Sequence, residues 1–463
     1  MSNVLEKIVA NKRRELVHRK SIYPEKVLAS KLPRSTRSFF DALNHSYSDF
    51  ILECKKASPS KGLIRENFDL TEILSSYSKY ASAISVLTDN KYFKGSFFYM
   101  KHVSQNVTQP VLAKDFFVDP YQVTEARYYG ADAILLMLSV LDDAEYLLLA
   151  EKAKSLNLDI LTEVHDQQEM LRAINLDAKI IGINNRNLKD LSINLQTTPD
   201  LVTNLTEQQK QGRLFISESG ISTNQQIRQL SPYVNGFLIG SSIMSEPVIE
   251  LQCRSLLYGE TKVCGLKDLE SAVCAKQNGA TFGGFIFYDK SPRHISPLTA
   301  KKIAESVDLQ WVGVFVNHTI EKLIDTVEKV GLSIVQLHGN ENGEYIKQLK
   351  AALPNIKIWK ALAVQDQLSE SQIELVNNFR VDRVLLDTQH NGSSGGTGKT
   401  FNWDSLSRLK KDHLVLAGGL NKDNILAARE IGCACLDVNS GVETEPGEKS
   451  CEQIIELFKT LRV

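Results

Sequence analysis

Five short segments in the first half of the chain carry acids, bases or amides at spacings that could do chemistry. Glu53 and Lys55 stand two apart in FILECKK, and Lys114 lies in VLAKDF. Glu163 lies in LTEVH, Asn184 and Arg186 stand two apart in INNRN, and Glu218 precedes Ser219 and Gly220 in SESGIS. Residues two apart on a strand point to the same side, so Glu53 pairs with Lys55 and Asn184 with Arg186 on one face. Both signs of charge are present, so an ammonium can serve as acid and a carboxylate as base. The competing reading is a ring of mutually satisfied salt bridges, since buried charges must be paired whether or not they catalyse. ESGIS and LIGSS (Gly240, Ser241) add small residues and backbone N–H groups suited to an anion such as phosphate. These glycines would also permit tight turns, and both roles can hold together.

The second half offers a thiol and a carboxyl, Cys264 in KVCGL and Asp387 in VLLDT, which could act as base and acid. The bland reading of Cys264 is a small buried hydrophobe, the usual state of a free cysteine; Cys433 and Cys435 read as structural. Arg293 in SPRHIS could bind a carboxylate or phosphate. His338 in QLHG is a substrate-side candidate, and equally a hydrogen-bonded structural histidine. GGTGKT at 395–400 is not a GxxxxGK[ST] loop, because the position of its first glycine is Ser393; it reads as a flexible lid or a phosphate-side loop. Gly418 and Gly419 in AGGL, with Ser440 and Gly441 in NSGVE, repeat the anion pattern of the first half.

Sixteen β-rich runs must position these groups. The first eight are FILEC (50–54), SAISVLT (82–88), PVLAKDF (110–116), DAILLML (132–138), DILTEVH (159–165), KIIGINN (179–185), LFISES (214–219) and GFLIGSS (236–242). The second eight are TKVCGL (261–266), FGGFIFY (282–288), WVGVFV (311–316), SIVQLHG (333–339), IKIWKAL (356–362), RVLLDT (383–388), LVLAGGL (414–420) and ACLDVNS (434–440). Helical patterns alternate with them, which implies parallel sheets. Eight such units in roughly 200–250 residues make a (β/α)8 barrel with its chemistry at the C-terminal strand ends. The chain is therefore expected to be α/β, with two tandem (β/α)8 barrels at 1–255 and 256–463 joined by a short helical junction near 250–260. Val4, Leu5, Ile8 and Val9 form an apolar helical stripe ahead of the first strand, so extra N-terminal helices should cap the first barrel.

Composition narrows the partners. Lys and Arg number 54 against 55 Asp and Glu, a net charge of −1, so no global basic excess drives nucleic-acid or anionic-membrane binding. The longest apolar run, near 133–141, is about half the ~20 residues that span a bilayer. The charged start MSNVLEKIVANKRRELVHRK has no signal-peptide core. Seven cysteines without a CxxC pair or metal-ligand spacing point to a reduced, cytoplasmic protein with free thiols.

LECKKASPSKG, VLAKDF, LTEVH, GINNRNL, SESGI and FLIGSS, in this order and spacing, closely resemble the indole-3-glycerol-phosphate synthases over nearly all of residues 1–255. The resemblance implies ring closure of carboxyphenylaminodeoxyribulose phosphate with loss of CO2 and water. It makes Lys114 the general acid and Glu163 the general base. Glu53 would support proton transfer and dehydration, and Lys55 would hold the substrate carboxylate with a share in the acid role. Ser58, Asn184 and Arg186 would position the anthranilate end with help from Glu218, while Ser219, Gly220, Gly240 and Ser241 hold the phosphate. Protonation by Lys114 would make the carbonyl electrophilic. Neighbouring cations would draw its pKa toward neutrality, and Glu53 would oppose them.

KVCGL, SPRHIS, VQLHG, LLDT with GGTGKTF, LAGGL and DVNSGVE resemble the phosphoribosylanthranilate isomerases over residues 256–463. This implies an Amadori rearrangement. Asp387 would protonate the ribose ring oxygen, opening the ring to a Schiff base, and the Cys264 thiolate would take the proton from the neighbouring carbon. Arg293 would bind the anthranilate carboxylate, and Gly419, Ser440 and Gly441 the phosphate. A thiolate base needs a lowered pKa, from a positive neighbour or a polarised backbone. The order resembles the fused bacterial enzymes of tryptophan biosynthesis, in which the second barrel's product is the first barrel's substrate. Neither reaction needs a metal, nucleotide or flavin, so no cofactor is expected.

Two alternatives compete. One is an isomerase pair acting on another phosphosugar, which would not need KKASPSKG with LTEVH or Cys264 with Asp387. The other is a chain with one catalytic barrel and one binding or stabilising scaffold. A fused pair already supplies an internal interface, so a monomer is expected, with the intermediate passing by free diffusion.

Overall fold

The computed structural model describes residues 4–30, 32–187, 190–378, 380–390, 393–394 and 400–463. The Gly-rich stretch at 395–399, expected to form a lid or phosphate-side loop, lies outside them. The chain divides into two compact units, one running to Cys253 and taking in Val463, the other spanning Arg254–Arg462. The helix Ile249–Tyr258 runs through the division.

In the first unit eight parallel strands close into a barrel: β1 (Asp49–Cys54), β2 (Ala83–Leu87), β3 (Val111–Lys114), β4 (Ala133–Met137), β5 (Asp159–Val164), β6 (Ile180–Asn184), β7 (Leu214–Glu218) and β8 (Gly236–Ile239). The ladder from β1 to β8 closes the ring, with Ile51 beside Leu238. Ile51, Ala83, Leu112, Leu135, Leu161, Ile180, Ile216 and Leu238 pack together as one buried cluster. Period-2 alternation then fixes the functional residues. Glu53, Lys114, Glu163, Glu218 and Gly240 each lie two positions beyond a member of that cluster. The strands that build the core therefore aim these groups at the C-terminal mouth.

Two helices precede the barrel, Val4–Ile22 and Glu25–Ala29. The first buries Ile8, Lys12 and Leu16, which are spaced by four and so share one helix face. Lys12 is 0% exposed, and its ammonium lies 2.9 Å from both Asp89 and Asp115.

The second unit repeats the plan with β9 (Glu260–Cys264), β10 (Phe282–Ile286), β11 (Gln310–Phe315), β12 (Ile334–Leu337), β13 (Lys357–Val364), β14 (Arg383–His390), β15 (Leu414–Leu416) and β16 (Cys435–Val438). Pairing of β13 with β14 and of β9 with β16 completes the ring. Phe282, Val312, Ile334, Trp359, Leu385, Val415 and Cys435 form its buried floor. Gln336, Asp387 and Asp437 lie two residues beyond members of that floor, as the same alternation requires. Two (β/α)8 barrels in tandem, the first with extra N-terminal helices, are thus present as predicted.

Candidate active sites

In the first barrel a cavity of about 310 Å³ opens at the C-terminal strand ends. Glu53, Lys55, Ser58, Lys114, Glu163, Asn184, Arg186, Ser219, Gly220, Gly240 and Ser241 all line it. The N-terminal helix adds Val4, Leu5 and Ile8, and Leu135, Met137 and Leu238 close the apolar floor. An apolar wall with a few convergent polar groups is the lining of a small-molecule site.

Lys114 sits between two carboxylates. Its Nζ is 2.8 Å from Glu218 Oε2 and 3.2 Å from Glu53 Oε2, and Lys55 pairs with the other oxygen of Glu53. Burial pulls the Lys114 pKa down, but Glu218, Glu53 and Glu163 outweigh it and hold it above the ordinary lysine range. The balance left open by the sequence therefore goes to the carboxylates, and Lys114 keeps its proton. Burial also disfavours the Glu53 anion, yet Lys114 and Lys55 bring its pKa to about 2.

Glu163 behaves in the opposite way. Burial first, and then the Glu218 charge, raise its pKa to about 7 against the pull of Lys114. Asn184 Nδ2 donates to Glu163 Oε1 at 3.1 Å, while Asn184 Oδ1 accepts from the Arg186 amide at 2.9 Å. A lysine that is protonated at pH 7 beside a carboxyl poised near neutrality supplies one proton donor and one proton acceptor at the same mouth.

Glu218 is fully buried and stands behind Lys114 rather than on the cavity wall. Gly182 makes room for it, because a Cβ there would collide with Glu218 Oε1, and a Cβ at Gly240 would collide with Glu53 Oε1. The β7 and β8 loops meet where Ser242 Oγ donates to the Ile221 carbonyl at 2.9 Å. Ser219 takes φ +69° and Gly220 φ +82° in the turn between them.

In the second barrel Cys264 is 4% exposed and Asp387 6% exposed. Lys262 Nζ lies 3.2 Å from Cys264 Sγ, 2.9 Å from Asp437 Oδ2 and 2.7 Å from Gln336 Oε1. Gln336 Nε2 is 3.0 Å from His338 Nδ1, and His338 Nε2 is 3.4 Å from Asp387 Oδ2. His338 thus touches Asp387, and an unbroken polar chain joins the thiol to the carboxyl. Burial holds the Cys264 thiol above its ordinary value, and Lys262 offsets only part of that rise.

Arg293 is engaged by Glu443, through Nε at 2.9 Å and Nη2 at 2.7 Å. Lys449 shares the same carboxylate at 2.6 Å. Gly419 takes φ +66°, and a bridge pairs Asn421, two residues further on, with Gly441. Asn424 Nδ2 donates to the Gly419 carbonyl at 3.0 Å. Ser440 is half-buried beside Gly441.

Lys262, Gln336 and Asp437 escaped the sequence reading, although Lys262 precedes Cys264 by two positions and Gln336 precedes His338 by two. The spacing rule that paired Glu53 with Lys55 applies to both. Among the described residues no group of three or more His, Cys, Asp or Glu is placed to hold a metal ion. No helix among them is long and apolar enough to cross a membrane.

Two family models match the chain, indole-3-glycerol phosphate synthase over residues 5–256 and N-(5'-phosphoribosyl)anthranilate isomerase over residues 261–460. A tryptophan biosynthesis protein TrpCF of Vibrio cholerae is 50% identical over 463 residues, covering 100% of this chain and 96% of that protein. Its counterpart in Yersinia pestis is 49% identical, covering 99% and 94%. A crystal structure of phosphoribosyl anthranilate isomerase from Thermotoga maritima is 37% identical, covering 44% of this chain and 98% of that chain, with a TM-score of 0.40. Each half thus matches an enzyme family, which disfavours a scaffold role for either, and the chain belongs to the bifunctional indole-3-glycerol phosphate synthases and phosphoribosylanthranilate isomerases of tryptophan biosynthesis.

Proposed function

We propose that the two activities are carried by the residues at the two barrel mouths. The observation that carries the synthase assignment is Lys114 held protonated by Glu218 and Glu53 at a cavity it shares with Glu163. Lys114 protonates the ketone of carboxyphenylaminodeoxyribulose phosphate as the ring carbon bearing the carboxylate attacks it. CO2 then leaves that carbon. The new hydroxyl departs as water with a second proton, which Lys55, paired with the Glu53 carboxylate, supplies, and Glu163 takes the proton whose loss completes the aromatic indole. Asn184 orients Glu163. Ser58 and Arg186 flank the anthranilate end, and Ser219, Gly220, Gly240 and Ser241 receive the phosphate. Glu218 acts through Lys114 and is a positioning residue.

In the isomerase, Asp387 gives its proton to the ribose ring oxygen as the C1′–O bond breaks, leaving a protonated Schiff base. The Cys264 thiolate removes the C2′ proton, and the resulting enolamine ketonises to the aminoketose. Gly419, Ser440 and Gly441 receive the phosphate. Arg293 is placed for the anthranilate carboxylate, which would have to compete with Glu443 for the guanidinium. His338 supports Asp387.

We take the chain to be a monomeric, cytoplasmic enzyme that acts on small phosphosugar–anthranilate compounds and has no nucleic-acid partner; sedimentation at micromolar concentration tests the first point. The central test is to supply phosphoribosylanthranilate to the purified full chain without added metal and follow the fluorescence of indole-glycerol phosphate. Appearance of that product supports the reading. Accumulation of the aminoketose, or no turnover, would show that one mouth has been misassigned.

A further inference from the structure

The polar chain in the second barrel has a direction. An ammonium only donates, so Lys262 requires the oxygen of the Gln336 amide, 2.7 Å away. The Gln336 NH2 must then face His338 Nδ1, at 3.0 Å. Nδ1 becomes the acceptor, which places the proton of a neutral imidazole on Nε2, 3.4 Å from Asp387 Oδ2. The charge on Lys262 therefore decides what His338 presents to Asp387. At its other end the same ammonium lies 3.2 Å from Cys264 Sγ.

We propose that Lys262 is the positioning residue of the isomerase, the cation that favours the Cys264 thiolate over what burial alone would allow and, through Gln336 and His338, orients the hydrogen bond to Asp387. Lys262 fills this place only if Cys264 is the base, the reading proposed above.

Four observations support the role. Lys262 is 0% exposed in the barrel interior, where a positive charge acts on a neighbouring sulfur with little screening by water. Burial pulls its pKa down, but Asp437 and Cys264 push it above the ordinary lysine value, so it remains charged. Gly284, the register partner of Cys264 on β10, leaves the space in which Lys262 and the sulfur meet. Finally, the competing cations are otherwise committed. The charged groups that act on Cys264 besides Lys262 are Asp437 from β16, Lys449 and Arg293, while Asp387 from β14 and His338 beyond β12 act on Asp437. Arg293 and Lys449 both hold Glu443. Among the described residues Lys262 is the cation within hydrogen-bond distance of Sγ.

The ionisation of Cys264 can be read without turnover. Full chain labelled with [3-13C]cysteine gives one resonance that disappears in Cys264→Ala, and its shift against pH reports the thiolate. In folded Lys262→Met the midpoint should rise by at least about one pH unit. The acid limb of isomerase kcat/KM should move up with it, so the deficit is largest at low pH and shrinks at high pH, while KM changes little. Lys262→Arg should restore much of the wild-type profile. In Asp437→Asn the midpoint should move the other way, because the carboxylate that opposes the thiolate is gone. An unchanged Cys264 midpoint in folded Lys262→Met overturns the proposal. Where that variant does not fold, a midpoint in Asp437→Asn that stays or rises overturns it instead. If Cys264→Ala keeps isomerase activity, the reading of Cys264 as the base has failed, whatever the titrations give.

Discussion

Gly284 stands opposite Cys264 in the ladder between β9 and β10, and a Cβ at that glycine would lie 2.8 Å from Cys264 Sγ and 2.9 Å from Lys262 Cε. Neither neighbour can retreat freely, since the sulfur is held by its strand and the lysine by Asp437 and Gln336. Overpacking of this kind typically costs about 1–3 kcal/mol. Gly284→Ala should therefore cut isomerase kcat by about tenfold or more while ring closure of supplied carboxyphenylaminodeoxyribulose phosphate continues. A Gly284→Ala enzyme with an unchanged isomerase rate would mean that the space beside the sulfur has no role.

The synthase should show an acid limb set by Glu163. Its pKa of about 7 arises from burial and then from Glu218, and the base must be ionised to accept a proton. Ring closure should therefore fall about tenfold per pH unit below that value. Glu218→Gln removes a negative neighbour and leaves Lys114 to favour the Glu163 anion, so the limb should move to lower pH even as the maximum rate drops. A carboxyl raised in the folded state contributes stability that is present below its unfolded value and lost as pH rises through about 7. Rate profiles of both enzymes from pH 5 to 9 check this, and a limb that moves upward in Glu218→Gln refutes it.

Catalytic duty can be separated by one substitution in each half. Lys114→Ala removes the ammonium held by Glu218 and Glu53 and should lower ring closure by about 10²–10⁴-fold while phosphoribosylanthranilate is still consumed. Asp387→Ala should do the reverse, abolishing consumption but leaving ring closure of supplied aminoketose. Loss of both steps in either variant would contradict the assignment of one reaction to each mouth.

The barrels were legible because strand parity is a strong signal. Once Ile51, Leu161 and Ile216 are read as interior, Glu53, Glu163 and Glu218 follow at the next inward position, and their convergence needs only ring closure. The side chains that tune them were harder to see, for two physical reasons. Lys262 and Lys12 are charged residues at interior positions, and a reading that treats charge as surface passes over them until their partners Asp437, Asp89 and Asp115 are known. Gly182 and Gly284 act through the space they leave, which no residue-type pattern records. Arg293 shows the converse. Its type and place suggested a bound carboxylate, and in this structure the carboxylate it holds is Glu443 of the same chain, brought close by a loop far away in sequence.

Lys12 gives the sharpest stability test, because it joins the N-terminal helix to the catalytic strand ends. Its ammonium bridges Asp89 and Asp115, and Asp115 also accepts from Thr88 Oγ1 at 2.7 Å. Asp115 directly follows Lys114, and the helix that carries Lys12 supplies Val4, Leu5 and Ile8 to the cavity wall. Lys12→Met leaves two carboxylates buried without their cation, a change that costs about 3–5 kcal/mol. The penalty should shrink on acidification. Although burial opposes it, Lys12 helps hold the Asp115 pKa below its ordinary value. That stabilisation is present above the unfolded pKa and is lost as pH falls and Asp115 protonates. All three tryptophans, Trp311, Trp359 and Trp403, lie in the second unit, so their fluorescence serves as an internal reference. In urea at pH 7, loss of synthase activity in Lys12→Met should move to lower denaturant while the tryptophan transition stays in place. Equal synthase midpoints in the two proteins would show that Lys12 does not anchor the helix.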